Sequence, residues 1–286
     1  MKRLFEIEWI KLKHSKSGKV ISTIYIAITI LTLIICWKSN AGEFINSLNI
    51  LGEIREPFKF PGIWLTGTWL SAWLIIFPVM ISVLNVGGDF TQKIHRQHII
   101  DGLTRKEYVL SKLISVFIIS ALFTLYTFVL CVLAGVLIGK GETSIYAEEN
   151  NFLLYLFGYL IYTFNILSFA MLITFFIKRP GLSIFAFIGY YFVLENLIWY
   201  FTKHTLIPTY LPLKSVSNNI FPNFSGTAAR ISSKFGENPP MLEVEEYTSK
   251  LWDNWVMFDW KAILVAIIYI GAYFLISRWL FLKRDL

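Results

Sequence analysis

His95 and His98 stand three residues apart in TQKIHRQHIIDGLTRKEYVLSK (91–112), a spacing that on a helix would let both imidazoles reach one metal ion. No third ligand lies nearby, and Lys93, Arg96, Arg105, Lys106 and Lys112 surround the pair with positive charge that would repel a cation. The two histidines are therefore expected to be polar surface residues, and no metal site is expected. The run Gly135-Val136-Leu137-Ile138-Gly139-Lys140-Gly141 looks like a phosphate-binding loop, but it has three residues between the glycines instead of four. It also lacks Ser or Thr after the lysine, and it closes an apolar stretch instead of following a strand. Gly135 and Gly139, four apart, are expected to be a small-residue helix-packing face.

Glu245-Glu246 with Lys250 falls in a polar, loop-like stretch, and no Ser/His or Asp/Asp pair sits at catalytic spacing inside an apolar run. No catalytic residue, cofactor or enzymatic activity is expected, and an intramembrane enzyme is the weakest reading. Glu195 differs from these, because it interrupts the apolar run Tyr190-Tyr191-Phe192-Val193-Leu194. A carboxylate at that depth is costly unless it faces the bundle interior or a wet path, or is protonated. Two roles stay open: a residue on a translocation path, or half of a hydrogen-bonded pair with a hydroxyl or amide on another span.

The elements that must position these residues are membrane spans. The chain has 286 residues, of which 56% are hydrophobic and 16% charged. Typical soluble domains are roughly 45–50% apolar and about 25% charged. Mean hydropathy is +0.59. Six apolar stretches approach or exceed the roughly 20 residues needed to cross a bilayer as a helix: about 20–36, 63–86, 109–139, 152–177, 182–201 and 262–282. Pro78 falls inside the second and is tolerable there if neighbouring helices satisfy the carbonyl it frees. The expected fold is an all-α polytopic membrane protein with six transmembrane helices, a single transmembrane domain over 1–286. Cys36 and Cys131 both lie in apolar runs and read as small core residues, with no disulfide framework.

Lys and Arg accumulate on cytoplasmic loops. Residues 1–19 hold six and the 87–112 loop five, whereas 38–62 holds three and 140–151 one. Two more lie in the turn at 178–180 (Lys178, Arg179) and two in the tail (Lys283, Arg284). Both termini are thus expected in the cytoplasm, in a multi-pass protein of the cytoplasmic membrane. The same bias accounts for the net charge of +7 without a nucleic-acid partner. A cleaved signal peptide is not expected, because the leader is long and carries Glu6 and Glu8.

Residues 1–19 are expected to form an interfacial helix lying against lipid, with Met1, Phe5, Trp9 and Leu12 as its apolar stripe. The segment 202–259 is expected outside; its mixed Pro and apolar pieces (205–222) read as short re-entrant elements before the last span, and Trp252, Trp255 and Trp260 as interface anchors.

In the 87–112 loop, Gly87-Gly88 are expected to break the second span, and Asp89 to cap a short helix starting at Phe90. Ile94, Ile99, Ile100 and Leu103 supply apolar contacts among the charges, and Gly102 divides the loop into two helical pieces. A solvated basic turn would satisfy the charge count alone; a capped short helix with apolar knobs suits a docking surface better.

Arg96 to Tyr108 (RQHIIDGLTRKEY), followed by Lys112-Leu113, resembles the loop between the second and third spans of type-2 ABC exporter permeases, where a Gly-hydrophobic-Ser/Thr-Arg stretch precedes an aromatic residue and a lysine. The resemblance extends over the whole layout of leader helix, six spans and outer segment. It implies a permease subunit that pairs with a second copy or a homologous permease and binds separate ABC ATPase subunits carrying the ATP. The 91–101 stretch would be the coupling helix, with Arg96, His98, Asp101, Gly102 and Arg105 at the ATPase contact and Glu195 on the translocation path. The alternative from another class is a membrane scaffold or sensor subunit without transport. The transported substrate does not follow from the resemblance.

Overall fold

A computed structural model describes residues 2–38, 60, 62–140, 152–202, 210–214 and 260–283. It is about 90% helical with no strand among the described residues, and the chain is an all-α polytopic membrane protein. Five helices are long and apolar enough to span, and a sixth span arises if a bent helix pair is taken as one.

Helix α1 (Lys2–His14) leads into α2 (Lys16–Lys38) through Ser15, whose Oγ accepts the Gly18 N–H at 3.0 Å and so caps α2. The bent pair is α3 (Gly62–Trp73) and α4 (Ile76–Thr91), angled by 51°. Pro78 explains the bend: its ring cannot lie beside the carbonyl four residues back and it has no N–H to give that carbonyl. The freed Leu74 oxygen accepts the Phe77 N–H at 3.1 Å instead. The chain thus satisfies it locally, without the neighbouring helix that the sequence led us to expect.

Helix α4 also corrects the expected break at Gly87-Gly88, since it runs on to Thr91. Glycine weakens a helix by only about 1 kcal/mol, and here packing compensates. A side chain at Gly87 would collide with Pro180, so the missing Cβ lets the two segments touch. The break comes later, at Lys93, whose φ of 57° turns the chain into α5 (Ile94–Ile100). Gly102 (φ 94°) then separates α5 from α6 (Arg105–Leu137). Thr104 and Glu107 close a capping box at the start of α6, with Thr104 N–H donating to Glu107 Oε2 at 2.8 Å. With 33 residues, α6 is roughly 50 Å long and exceeds the hydrocarbon layer.

Helix α7 (Phe152–Ile177) is uncharged and apolar all round, and it lies at the centre, packed by α3, α4, α6 and the last helix, α10 (Trp260–Lys283). Lys178 (φ 61°) ends α7, and Pro180 opens α8 (Pro180–Gly189). A π-turn over Tyr190–Leu194 joins α8 to α9 (Glu195–Thr202). The main core runs through Val79, Val83, Val86, Val116, Tyr159, Ile166 and Met171. Gly135 packs against the Phe60 ring, with no room for a side chain; Gly139 lies past the end of α6 and shares no helix face with it. Cys131 is buried in the notch left by Gly67. The expected features at 39–59, 141–151 and most of 202–259, including Glu245-Glu246, Lys250, Trp252 and Trp255, fall outside the described residues, as does the Cys36 side chain.

Candidate functional site

The basic loop stands on a set of buried charges. Lys112, fully buried in the fourth residue after Tyr108 on α6, pairs with Glu8 of α1 and with Asp89 Oδ2 of α4 at 2.7 Å. Lys11, also on α1, pairs with Asp89 Oδ1 and donates to the Asn85 carbonyl at 3.1 Å. Two carboxylates and two ammonium groups make this quartet formally neutral, which is the condition for sealing such charges from water. Neutral donors fill the remaining positions. Asn85 Nδ2 donates to Glu8 Oε2 at 3.5 Å and to Ser115 Oγ at 2.6 Å, and the Tyr108 hydroxyl donates to Asp89 Oδ2 at 3.3 Å. Burial pushes the Lys11 ammonium below its usual value, Lys112 adds to this, and Asp89 and Glu8 pull it back up.

Asp89 is therefore no helix cap. It sits inside α4, whose N-terminus lies at the other end, and its carboxylate is held by cations instead of free N–H groups. Of the apolar stripe expected on the leader helix, Phe5 and Trp9 lie on the open side and Leu12 packs on the core. The side set against the bundle carries Leu4, Glu8, Lys11 and Leu12, while Phe5 and Trp9 stack on each other at 6.3 Å and stay exposed. Ion pairs through Glu8 and Lys11 join Leu4 and Leu12 in holding the other side of α1 to the bundle.

The loop splits its residues between two faces. His95 is buried, which corrects the expected surface position. Its Nδ1 lies 3.0 Å from the Asp89 carbonyl oxygen; a carbonyl can only accept, so Nδ1 carries the proton. The His95 ring packs on Phe90 and Phe281. Ile99 packs on the core and Leu103 is buried. His98 is half-buried, 6.2 Å from the Tyr108 ring, and burial together with Lys112 holds its imidazole below the usual value. Lys93, Arg96, Gln97, Ile100, Asp101 and Gly102 face outward, and Ile100 is 82% exposed. Arg105 is engaged elsewhere: its Nη1 donates to the Leu282 carbonyl at 3.2 Å, closing the end of α10. Of the five loop residues singled out from the sequence, Arg96, Asp101 and Gly102 share the open face. Among the described residues no three His, Cys, Asp or Glu side chains gather as a metal site would require.

Glu195 belongs to a different assembly. It is buried, and its Oε1 accepts the backbone N–H groups of Leu213 at 2.8 Å and Lys214 at 3.0 Å. The partners are main-chain donors of the 210–214 segment, not the side chain on another span that the sequence suggested. The same segment is held by Asn165 Nδ2, which donates to the Pro212 carbonyl at 2.8 Å, and by the Tyr269 hydroxyl, which donates to the Tyr210 carbonyl at 2.8 Å. Lys214 Nζ donates to Asn196 Oδ1 at 2.7 Å. Leu211 and Leu213 are buried beneath these ties. Three helices (α7, α9 and α10) thus pin five residues, two of the anchors (Asn165 and Tyr269) lying near the middle of their helices.

Residues 64–286, more than half of the chain, match the family described as "Protein of unknown function (DUF2705)". The chain belongs to the DUF2705 family. The matched range holds Asp89 and Lys112, the basic loop and Glu195, whereas Glu8 and Lys11 of the DUF2705 chain precede it. No curated protein matches the chain.

Proposed function

We propose that this protein is the permease subunit of an ATP-driven exporter of the type-2 ABC class, working with separate ATPase subunits and a second permease copy or homologue. The observation that carries the reading is α5: a short helix at the end of a span, seated through His95, Ile99 and Leu103, that turns Arg96, Gln97, Ile100 and Asp101 outward. A basic rim around one apolar knob suits insertion into a groove on a soluble subunit. In this reading the basic end, both termini and α1 lie at the cytoplasmic face of the cell membrane, with six spans and α1 in the headgroup layer. The exposed Phe5–Trp9 pair then meets lipid. The outer segment around 210–214 re-enters the bundle, and Glu195 lies on the translocation path. ATP sits on the partner, and this chain carries no catalytic residue.

The test is affinity purification of the full chain from its native membrane, with co-eluting nucleotide-binding subunits identified by mass spectrometry. An ATPase is expected to co-elute, and Arg96→Glu to cut its recovery by about tenfold, as reversing an interface charge does. A chain that never retains an ATPase, with Arg96→Glu leaving its associations intact, would favour a scaffold or sensor subunit and overturn the proposal.

A further inference from the structure

The proposed function gives a role to the Phe5–Trp9 pair and the 210–214 strap, but none to the exposed faces of α2 and α8, the buried hydroxyls of α7 and α10 or the quartet at the basic end. Only the quartet joins three separate elements through paired charges and continues, bond by bond, into the loop.

Asp89 is the junction. Its two carboxylate oxygens hold Lys11 of α1 and Lys112 of α6, and Lys112 in turn holds Glu8 of α1. Its main-chain oxygen holds His95, the buried foot of α5. The leader helix therefore reaches α5 by hydrogen-bonded and charged contacts through Asp89, beside the ring contact of Tyr108 with His98. Moving α1 away strips Asp89 of one cation and Lys112 of one anion, and buried charges left short of partners draw in water. The carbonyl that anchors His95 lies on that same residue.

We propose that α1 is the positioning element of the basic loop: Glu8 and Lys11 set where α5 stands by holding Asp89 and Lys112. Glu8, Lys11, Asp89 and His95 are positioning residues, and none of them needs to touch a partner. The purpose of this arrangement rests on the reading of α5 as a partner-contact surface. The link itself does not, and it can be measured in the isolated chain.

The experiment uses the full-length protein in lipid nanodiscs with one of two cysteine probes, Leu103→Cys under the loop or Leu211→Cys in the strap, both positions buried in the native chain. Labelling by a water-soluble maleimide is followed over time and located by mass spectrometry, so Cys36 and Cys131 remain. Glu8→Ala is expected to speed labelling at Leu103→Cys by about tenfold while leaving Leu211→Cys unchanged, the mark of a local opening. Glu8→Asp, which keeps the charge, is expected to return the rate to within about threefold of the parent. Where Glu8→Ala fails to yield protein, Glu8→Gln takes its place. Unchanged labelling at Leu103→Cys would overturn the proposal, and so would equal acceleration of both probes. Since no ATPase is present, loss of the exporter reading would leave this result standing, and the reverse also holds.

Discussion

Glu8 and Asp89 at the basic end and Glu195 at the strap are carboxylates sealed inside the same bundle, yet they are balanced in opposite ways. The first two face the ammonium groups of Lys11 on α1 and Lys112 on α6, so each charge depends on distant segments keeping their places. Glu195 faces two consecutive backbone N–H groups on one short segment. Ion pairs have no strong directionality but fail badly when one partner leaves. Hydrogen bonds from main-chain donors are directional and tolerate a neutral acceptor. The basic end is thus built to register several helices against one another, and the strap contacts to hold one segment in place.

The sharpest way to break this contrast is Lys112→Met, which leaves Glu8 and Asp89 buried with only Lys11 between them. A loss of about 3–5 kcal/mol is expected, read as a fall in the thermal midpoint of the purified protein. Glu195→Leu comes next: it leaves the Leu213 and Lys214 N–H groups without their acceptor and is expected to cost about 1–3 kcal/mol. Glu195→Gln keeps an acceptor at the same place and is expected to cost under about 1 kcal/mol. If Glu195→Gln proves as damaging as Lys112→Met, the distinction between the two sites collapses.

Thr104→Ala removes the capping box that starts α6 and is expected to cost about 1 kcal/mol, with faster amide hydrogen exchange confined to 104–108. The smallest effect concerns His98. Its folded proton affinity lies below that of the unfolded chain, so protonation favours unfolding. Stability is therefore undiminished above about pH 6.5. It declines as the pH falls through that value and levels off once the folded imidazole is also protonated. Thermal midpoints at pH 7.5 and 5.5 should differ less in His98→Gln than in the parent.

The apolar runs made the helical layout legible, because a span is a local property of about 20 residues. Gly102 was legible as a divider for a similar reason, since the chain needs a positive φ there. The quartet was not, because Glu8 and Lys112 lie 104 positions apart and their pairing exists only in the packed bundle. Two signals pointed to it: a lysine three residues into the run that begins at Val109, and the Glu8/Lys11 spacing of one helical turn. Hydropathy marked Phe5 and Trp9 as one stripe of α1, whereas the Glu8 and Lys11 contacts that hold its other side to the bundle leave no mark in hydropathy. Thr104-x-x-Glu107 carries a plain capping-box signature that the surrounding positive charge obscures. Glu195 drew notice as a charge in an apolar run, but its partners belong to a Pro-rich stretch that has no periodicity to place it.

The order in which the quartet is synthesised has a consequence for biogenesis. Glu8, Lys11 and Asp89 are all made before Lys112, so a nascent chain holds two acids against one base until the second turn of α6 is made. The basic end cannot close during insertion of the first spans and must wait for one lysine. A ribosome stalled or a chain truncated before that point leaves an open, negatively charged joint at the base of the bundle, which is the kind of defect that membrane quality-control proteases can grip.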